Sequence, residues 1–422
     1  MNLLSSRTLR GCALLLCLAV SSCGGGGDSS SNASSSSSST PPPSTPGNVA
    51  TVTVSSGPAG VGAVNTLFTS VTVCVPNTTT CQTIDNIQVD TGSYGLRLLA
   101  QALTLTLPVT TVSTAAGTGG LVECTEFVDG YSWGPVALVD VQIAGETASS
   151  VPVQLIGDSR YPTAPEACST PAPQAENTVA TFGANGILGI GPFAQDCGDT
   201  CAEETTAQYW QCTTADSCGE VAAPLAEQVQ NPITMFSADN NGSIITLPSV
   251  AAAGAATVTG TLIFGIDTES NNASGTVTVV PISDMGYLTT TFNGQSLSES
   301  FVDSGSNATY FDDENASGTS LITECPTSGS SSTDISDFYC PASPMTLTAA
   351  FVLSDDSTAN ASFSVANPTS VSNTVTAFPG LAGTNPQGNS FDWGLPFFYG
   401  RRVAYAIEGA ATSVGTGPYI AF

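Results

Sequence analysis

The chain has neither histidine nor lysine among its 422 residues; its six basic residues are all arginine, and charged residues make up only 9%. Each absence removes a chemistry. Without an imidazole there is no Ser-His-Asp or Cys-His nucleophile system and no His-bearing zinc site. Without lysine there is no Schiff base, no P-loop lysine and no Ser-Lys dyad. Positive charge is so scarce beside 34 acidic residues that the formal net charge is −28. Such a surface repels nucleic-acid phosphates and anionic lipid head groups, which excludes nucleic acid as a partner. Long amphipathic helices are missing as well, and only "APLAEQVQN" and "TAQYWQC" are expected to form helical turns. Acid–base chemistry near or below neutral pH therefore falls to carboxylates.

At the N-terminus, Arg7 and Arg10 precede the apolar run "CALLLCLAV", and "VSSC" ends at Cys23. A basic stretch before a short apolar one marks a secretory signal, and the run is too short for a membrane span. The segment resembles a bacterial lipoprotein signal. That resemblance implies removal of residues 1–22 and lipidation of Cys23. Residues 23–48, rich in Gly, Ser and Pro, are expected to form a flexible tether with a stiffer end. Lipid, tether and body together imply an exported lipoprotein anchored to the outer membrane, facing the periplasm or cell surface.

Of 13 cysteines, ten lie beyond Cys23. An even number in an exported chain reads as disulfides. Cys74 with Cys81 and Cys325 with Cys340 are natural local pairs, while the partners of Cys124 and Cys168 stay open. Cys197, Cys201, Cys212 and Cys218 could form disulfides or a Cys₄ metal site, although their spacing lacks C-x₂-C knuckles. Neither a metal nor a cofactor is expected.

The body is written in short Val-, Ile- and Thr-rich runs bounded by Gly, Asn, Pro or Ser, such as "VALVDVQIAG", "NGSIITLP" and "TGTLIFGI". These read as strands of a sandwich or barrel architecture. One phrase occurs twice: "QVDTGSYG" at 88–95 and "FVDSGSNA" at 301–308. Each follows a β-type run. Asp at a strand end followed by Gly holds a carboxylate in a tight turn, with backbone N–H groups free to point at it. Trp133 and Trp393 are expected in the core, and the acidic "DDE" at 312–314 in a solvated loop.

The two phrases resemble the paired catalytic loops of pepsin-like aspartic peptidases, of the retropepsin and pepsin superfamily. Further pieces match in order. "NGILGIG" at 185–191 and "FDWGLPFF" at 391–398 are similar to the arms that cross behind the loops, and "FVDGYSWGPVALVDVQIAGE" to the flap hairpin. The resemblance implies a mostly β, bilobal acid-protease fold, with an active-site cleft between two β-barrel-like lobes. The lobes are expected at 49–272, with a Cys-rich insertion at 192–220, and at 273–422. Asp90 and Asp303 match the catalytic dyad. Thr91 and Ser304 match the hydroxyls that brace the loops, Gly92 and Gly305 the turn glycines, and Ser93 and Ser306 the supporting hydroxyls. Phe127 takes the place of the flap Tyr, with Gly130 and Tyr131 beside it, and Arg97 takes the place of that Tyr's Trp partner.

The resemblance thus implies a membrane-anchored, monomeric aspartic-type endopeptidase acting on peptide or protein substrates through activated water. The altered flap leaves open a pepsin-fold protein that binds peptides or envelope partners without cleaving them.

Overall fold

A computed structural model describes residues 47–170, 174–314, 320–326, 335–385 and 387–422. The expected signal peptide, Cys23 and nearly all of the tether lie outside these residues. The described chain is mostly β. Alternation dictates much of it. Val49–Val54 reads V-A-T-V-T-V, with Ala50, Val52 and Val54 buried and the intervening residues turned outward, as a strand on a one-sided core requires.

Two sheets organise two lobes. In the larger, Val49–Val54, Val258–Phe264, Gly242–Thr246, Arg402–Ala406, Tyr419–Ala421 and Val279–Pro281 form a layer to which both halves of the chain contribute. The smaller, seven-stranded sheet belongs to the second half and includes Gln295–Val302, Thr309–Phe311 and Asp392–Trp393.

Each repeated phrase sits in the same crossing. Cys81–Asp90 runs parallel to Gly186–Ile190, and Tyr94–Leu99 returns antiparallel on its other side. The strand "GILGI" thus lies between the arms that enter and leave the Asp90 loop. In the second half Gln295–Val302 runs parallel to Asp392–Trp393, while Thr309–Phe311 returns antiparallel beside it. Threading a strand between the arms of a loop pins both arms at fixed spacing, so the loop tip cannot wander. This pair of crossings, one in each lobe, is the architecture of the bilobal pepsin-like fold.

The cores differ in kind. The first lobe is packed mainly with Val, Ile and Leu. The second is aromatic: Phe292, Phe311, Phe351, Phe363, Phe391 and Trp393 form a contiguous ring cluster, with Phe391 and Trp393 centred 4.4 Å apart. Burying each such ring is worth about 1.5–3 kcal/mol, and edge-to-face pairing adds about 0.5–1.5 kcal/mol. Trp133 and Trp393 are both core residues. The Trp393 indole N–H donates to Thr290 Oγ1 at 3.0 Å.

Five disulfides close the described chain: Cys74–Cys81, Cys124–Cys168, Cys197–Cys201, Cys212–Cys218 and Cys325–Cys340. They settle the four-cysteine cluster as two bridges. Such a complement points to an exported or extracellular protein. Among the described residues no helix is long and apolar enough to cross a membrane.

Of three further sequence expectations, two are corrected. "TAQYWQC" is largely strand, Tyr209–Thr214, because Tyr209, Trp210 and Cys212 pack beneath the neighbouring hairpin and its edge supplies the hydrogen bonds. "APLAEQVQN" forms the single helical turn expected of it, with the Glu227 and Gln228 N–H groups donating to Pro224 O at 2.8 and 3.2 Å. Asp313 is buried, accepting the backbone N–H groups of Leu321 and Ile322 and the Ser320 hydroxyl, and so anchors residues 320–322.

Candidate active site

The two crossings bring Asp90 and Asp303 side by side, close enough for one backbone N–H to reach both. Gly92 N–H reaches both carboxyls, at 2.8 Å from Asp90 Oδ1 and 3.0 Å from Asp303 Oδ1. Gly305 N–H donates to Asp303 Oδ1 at 2.7 Å. On the outer oxygens, Ser93 donates to Asp90 Oδ2, and Ser306 to Asp303 Oδ2 at 2.9 Å. The glycines are needed because the backbone of each loop lies against the opposite carboxyl. A Cβ on Gly92 would stand 2.6 Å from Asp303 Cγ, and one on Gly305 would stand 2.5 Å from Asp90 Oδ1.

Thr91 and Ser304 lock the loops reciprocally. Thr91 Oγ1 accepts from Ser304 N at 2.9 Å and donates to Val302 O at 3.4 Å. Ser304 Oγ accepts from Thr91 N at 3.2 Å and donates to Val89 O at 2.9 Å. Each hydroxyl thus satisfies one donor and one acceptor of the opposite lobe, all of them buried, where an unmet partner costs about 1–3 kcal/mol. Gln88 adds a bond to Gly305 O at 3.1 Å, and the Tyr405 hydroxyl donates to Val302 O at 2.6 Å.

Both carboxyls are almost wholly buried. Burial, then the charge and hydrogen bond of Asp90, push Asp303 well above the usual carboxylate range. Two carboxyls in contact cannot both ionise easily, so the pair holds one proton over a wide pH range. Beside the dyad lies an open cavity of about 510 Å³, solvent at its mouth included, lined by Thr91, Gly92, Tyr94, Pro192, Tyr287 and Tyr405 among others. Burial and the two Asp charges raise Tyr94, keeping its phenol neutral.

The flap expectation needs correction. The hairpin Gly117–Glu126 and Tyr131–Ile143 is present, closed by Phe127 N–H donating to Gly130 O at 2.7 Å. The Phe127 ring, however, is 3% exposed and packs edge-on against Phe182, within an apolar cluster containing Phe68, Leu99 and Ile187. A ring with no hydroxyl gains most by joining the core, so it is not left free over the cleft. Tyr131 is tied instead to the segment after Gln174, through its N–H to Gln174 O and its carbonyl from Glu176 N–H. Cys124–Cys168 cross-links the flap strand, and Tyr209–Thr214 of the insertion pairs along its outer edge. The insertion therefore widens the flap sheet.

Arg97 is also buried. Its guanidinium donates to Glu123 Oε1 at 2.6 Å, Asp196 Oδ2 at 2.9 Å, Thr125 Oγ1 at 2.9 Å and Tyr94 O at 2.8 Å. Asp196 also accepts from Tyr209 and Gln208. One side chain thus joins the strand leaving the Asp90 loop to the flap and to the insertion. Burial alone would raise Glu123, but the Arg97 charge and hydrogen bonds with Asp196, Arg97 and Thr125 together outweigh it and hold Glu123 low. Burial and the Glu123 charge push Asp196 well up. The sequence reading missed Glu123 and Asp196, whose separations from Arg97 give no local signal. It also missed Asp392, although "FDWG" beside "GILG" shows an acid where the first lobe has Ile.

Residues 44–422 match the family described as "Protein of unknown function (DUF3443)", and the chain belongs to that family. None of the curated proteins matches it in sequence. Among solved structures it is similar to an aspartic proteinase from Irpex lacteus, with 14% identity and a TM-score of 0.48, over 88% of this chain and 96% of that one.

Proposed function

We propose that the chain is an aspartic-type endopeptidase of the cell envelope, hydrolysing internal peptide bonds of peptide or protein substrates through the Asp90–Asp303 pair. The observation that carries this reading is the contact between two buried carboxyls, each held by a glycine N–H and a serine hydroxyl from its own loop. A water between them can lose a proton to ionised Asp90 while it attacks the scissile carbonyl carbon. Asp303, which holds its proton, gives it to the carbonyl oxygen, forming a gem-diol. Collapse breaks the C–N bond: Asp90 passes its proton to the leaving nitrogen, and a gem-diol hydroxyl returns one to Asp303. One water is consumed, and the pair ends as it began. No imidazole, amine or metal is called on.

The body works as a monomer tethered through lipidated Cys23, with no nucleic-acid partner. A second reading, a pepsin-fold protein that binds peptides or envelope partners without cleaving them, is favoured by the clamped flap and by Phe127 lying in the core.

The test compares wild type, Asp90→Asn and Asp303→Asn on an unfolded protein substrate at pH 3–7. Each substitution alone should lower turnover by on the order of 10³-fold or more, and the double variant should lose little more, because the pair acts as a unit. Cleavage that survives both changes rules out the dyad. No cleavage by folded wild type selects the binding reading.

A further inference from the structure

The segment that carries Ser306 is held at three consecutive carbonyls. Gly305 O accepts from Gln88 Nε2 at 3.1 Å, Ser306 O from the Leu395 N–H at 2.8 Å, and Asn307 O from Asn65 Nδ2 at 2.8 Å. Leu395 belongs to the second lobe; Gln88 and Asn65 do not. Gln88 lies two residues before Asp90 on Cys81–Asp90, and Asn65 two residues before Leu67–Cys74, the strand paired with it. The first loop is held differently. Ser93 O accepts from the Gly191 N–H at 2.9 Å and Tyr94 O from Arg97 at 2.8 Å, both within the first lobe. Phe301 stands two residues before Asp303, as Gln88 does before Asp90. A phenyl ring has no hydrogen bond to give across the cleft.

Both amides are firmly seated. Asn65 is 0% exposed, and every hydrogen-bonding position of its side chain is taken. Its NH₂ donates to Asn307 O and Phe378 O, both at 2.8 Å, and its oxygen accepts from the Phe378 N–H and the Tyr399 hydroxyl, both at 2.7 Å. Turning the amide over would set oxygen against carbonyls and NH₂ against an N–H, so one orientation alone fits. The backbone φ of 51° at Asn65 lies in the left-handed region, which asparagine tolerates better than most residues. Gln88 is 4% exposed, and strand alternation puts its side chain on the same face as Asp90.

We propose that Gln88 and Asn65 are positioning residues of the dyad: from the first lobe they fix the carbonyls on either side of Ser306, and so aim the hydroxyl that Ser306 gives to Asp303 Oδ2. The second loop thus takes its working shape from the opposite lobe, while the first loop is shaped by its own. The consequence for catalysis rests on the Asp90–Asp303 reading, but the test does not depend on proteolysis.

Infrared difference spectroscopy titrates the dyad in wild type, Gln88→Met, Asn65→Gly and a control, Gln154→Met. Met keeps the volume of Gln and removes the donor; Gly keeps the left-handed backbone. Gln154 is likewise a buried glutamine donating to a backbone carbonyl, Glu123 O at 2.9 Å, but in the flap sheet. The neutral-carboxyl C=O band that Asp303→Asn removes reports the pair. Hydrogen bonds to the ionised form hold its midpoint down. A loosened Ser306 should therefore raise that midpoint, by on the order of 0.5–1 pH unit in both Gln88→Met and Asn65→Gly. Gln154→Met should lose stability in urea with the midpoint unmoved. A midpoint unmoved in either loop-facing variant, or moved as far in Gln154→Met, would overturn the proposal. Should those variants fail to fold, hydrogen exchange in wild type decides. The side-chain amide protons of Gln88 and Asn65 should exchange only on global unfolding, and exchange as fast as that of an exposed amide would equally overturn it. If the midpoints shift as described but no substrate is cleaved, the peptidase reading fails and the positioning role stands.

Discussion

The two halves of the candidate site make an internal comparison. Where the loops touch, they are nearly interchangeable: Asp, a hydroxyl residue, Gly and Ser on each side, with the same donors on the same oxygens. One layer back the likeness ends. The first loop is backed by Ile187 and by Arg97, a cation enclosed with two carboxyls. The second is backed by Tyr310 and by Asp392, a carboxyl enclosed with no cation. The symmetric part is what two carboxyls need in order to meet. The asymmetric part gives the two carboxyls different surroundings, and burial with the Asp90 charge pushes Asp303 well up. The difference also shows how each lobe handles buried charge. In the first lobe Arg97 lies between Glu123, held low, and Asp196, pushed well up; in the second Asp392 is buried without a cation.

Breaking the first-lobe device should have the largest effect on stability. Arg97→Met leaves Glu123 and Asp196 buried without their cation and should cost about 3–5 kcal/mol at pH 7 in denaturant unfolding. The sign of the pH dependence follows from Glu123. Its folded pKa is depressed, so in wild type its contribution is present above the unfolded value and lost as pH falls through the folded one. The variant's deficit should therefore shrink toward pH 4, where the orphaned carboxyls can take up protons. An equal deficit at both pH values would mean that lost packing, not charge, dominates.

A smaller effect sharpens the symmetric part. Thr91→Val and Ser304→Ala each remove one hydroxyl of the reciprocal lock and leave the opposite lobe's groups unmet. Each should cost about 1–3 kcal/mol, and the two should agree within about 0.5 kcal/mol. Because both act on one network, the double variant should cost less than the sum. Full additivity would show that the lock is two independent contacts.

Much of this site was legible in the sequence because its chemistry is local. Asp90 to Ser93 and Asp303 to Ser306 carry their own glycine donors and hydroxyls within four residues, and the strand pattern announces the arms that cross behind them. What escaped is set by packing. Phe127 was expected over the cleft, but a ring without a hydroxyl is more stable beside Phe182. "TAQYWQC" has the composition of a helical turn, yet the free edge of Gly117–Glu126 made it a strand. Arg97 finds Glu123 and Asp196 at separations of 26 and 99 residues, which no window of sequence reveals. Asp392 was visible in "FDWG", but only the second crossing shows it buried with neither cation nor donor.

The most direct measurement is the pH dependence of kcat/KM for wild-type protein on an internally quenched peptide. A pair that shares one proton works only while one carboxyl is charged and the other neutral. The rate should therefore rise and fall in a bell with an acidic optimum, and the bell should vanish in Asp303→Asn. A rate that climbs steadily into the alkaline range, or a bell that persists in Asp303→Asn, would contradict the shared-proton mechanism.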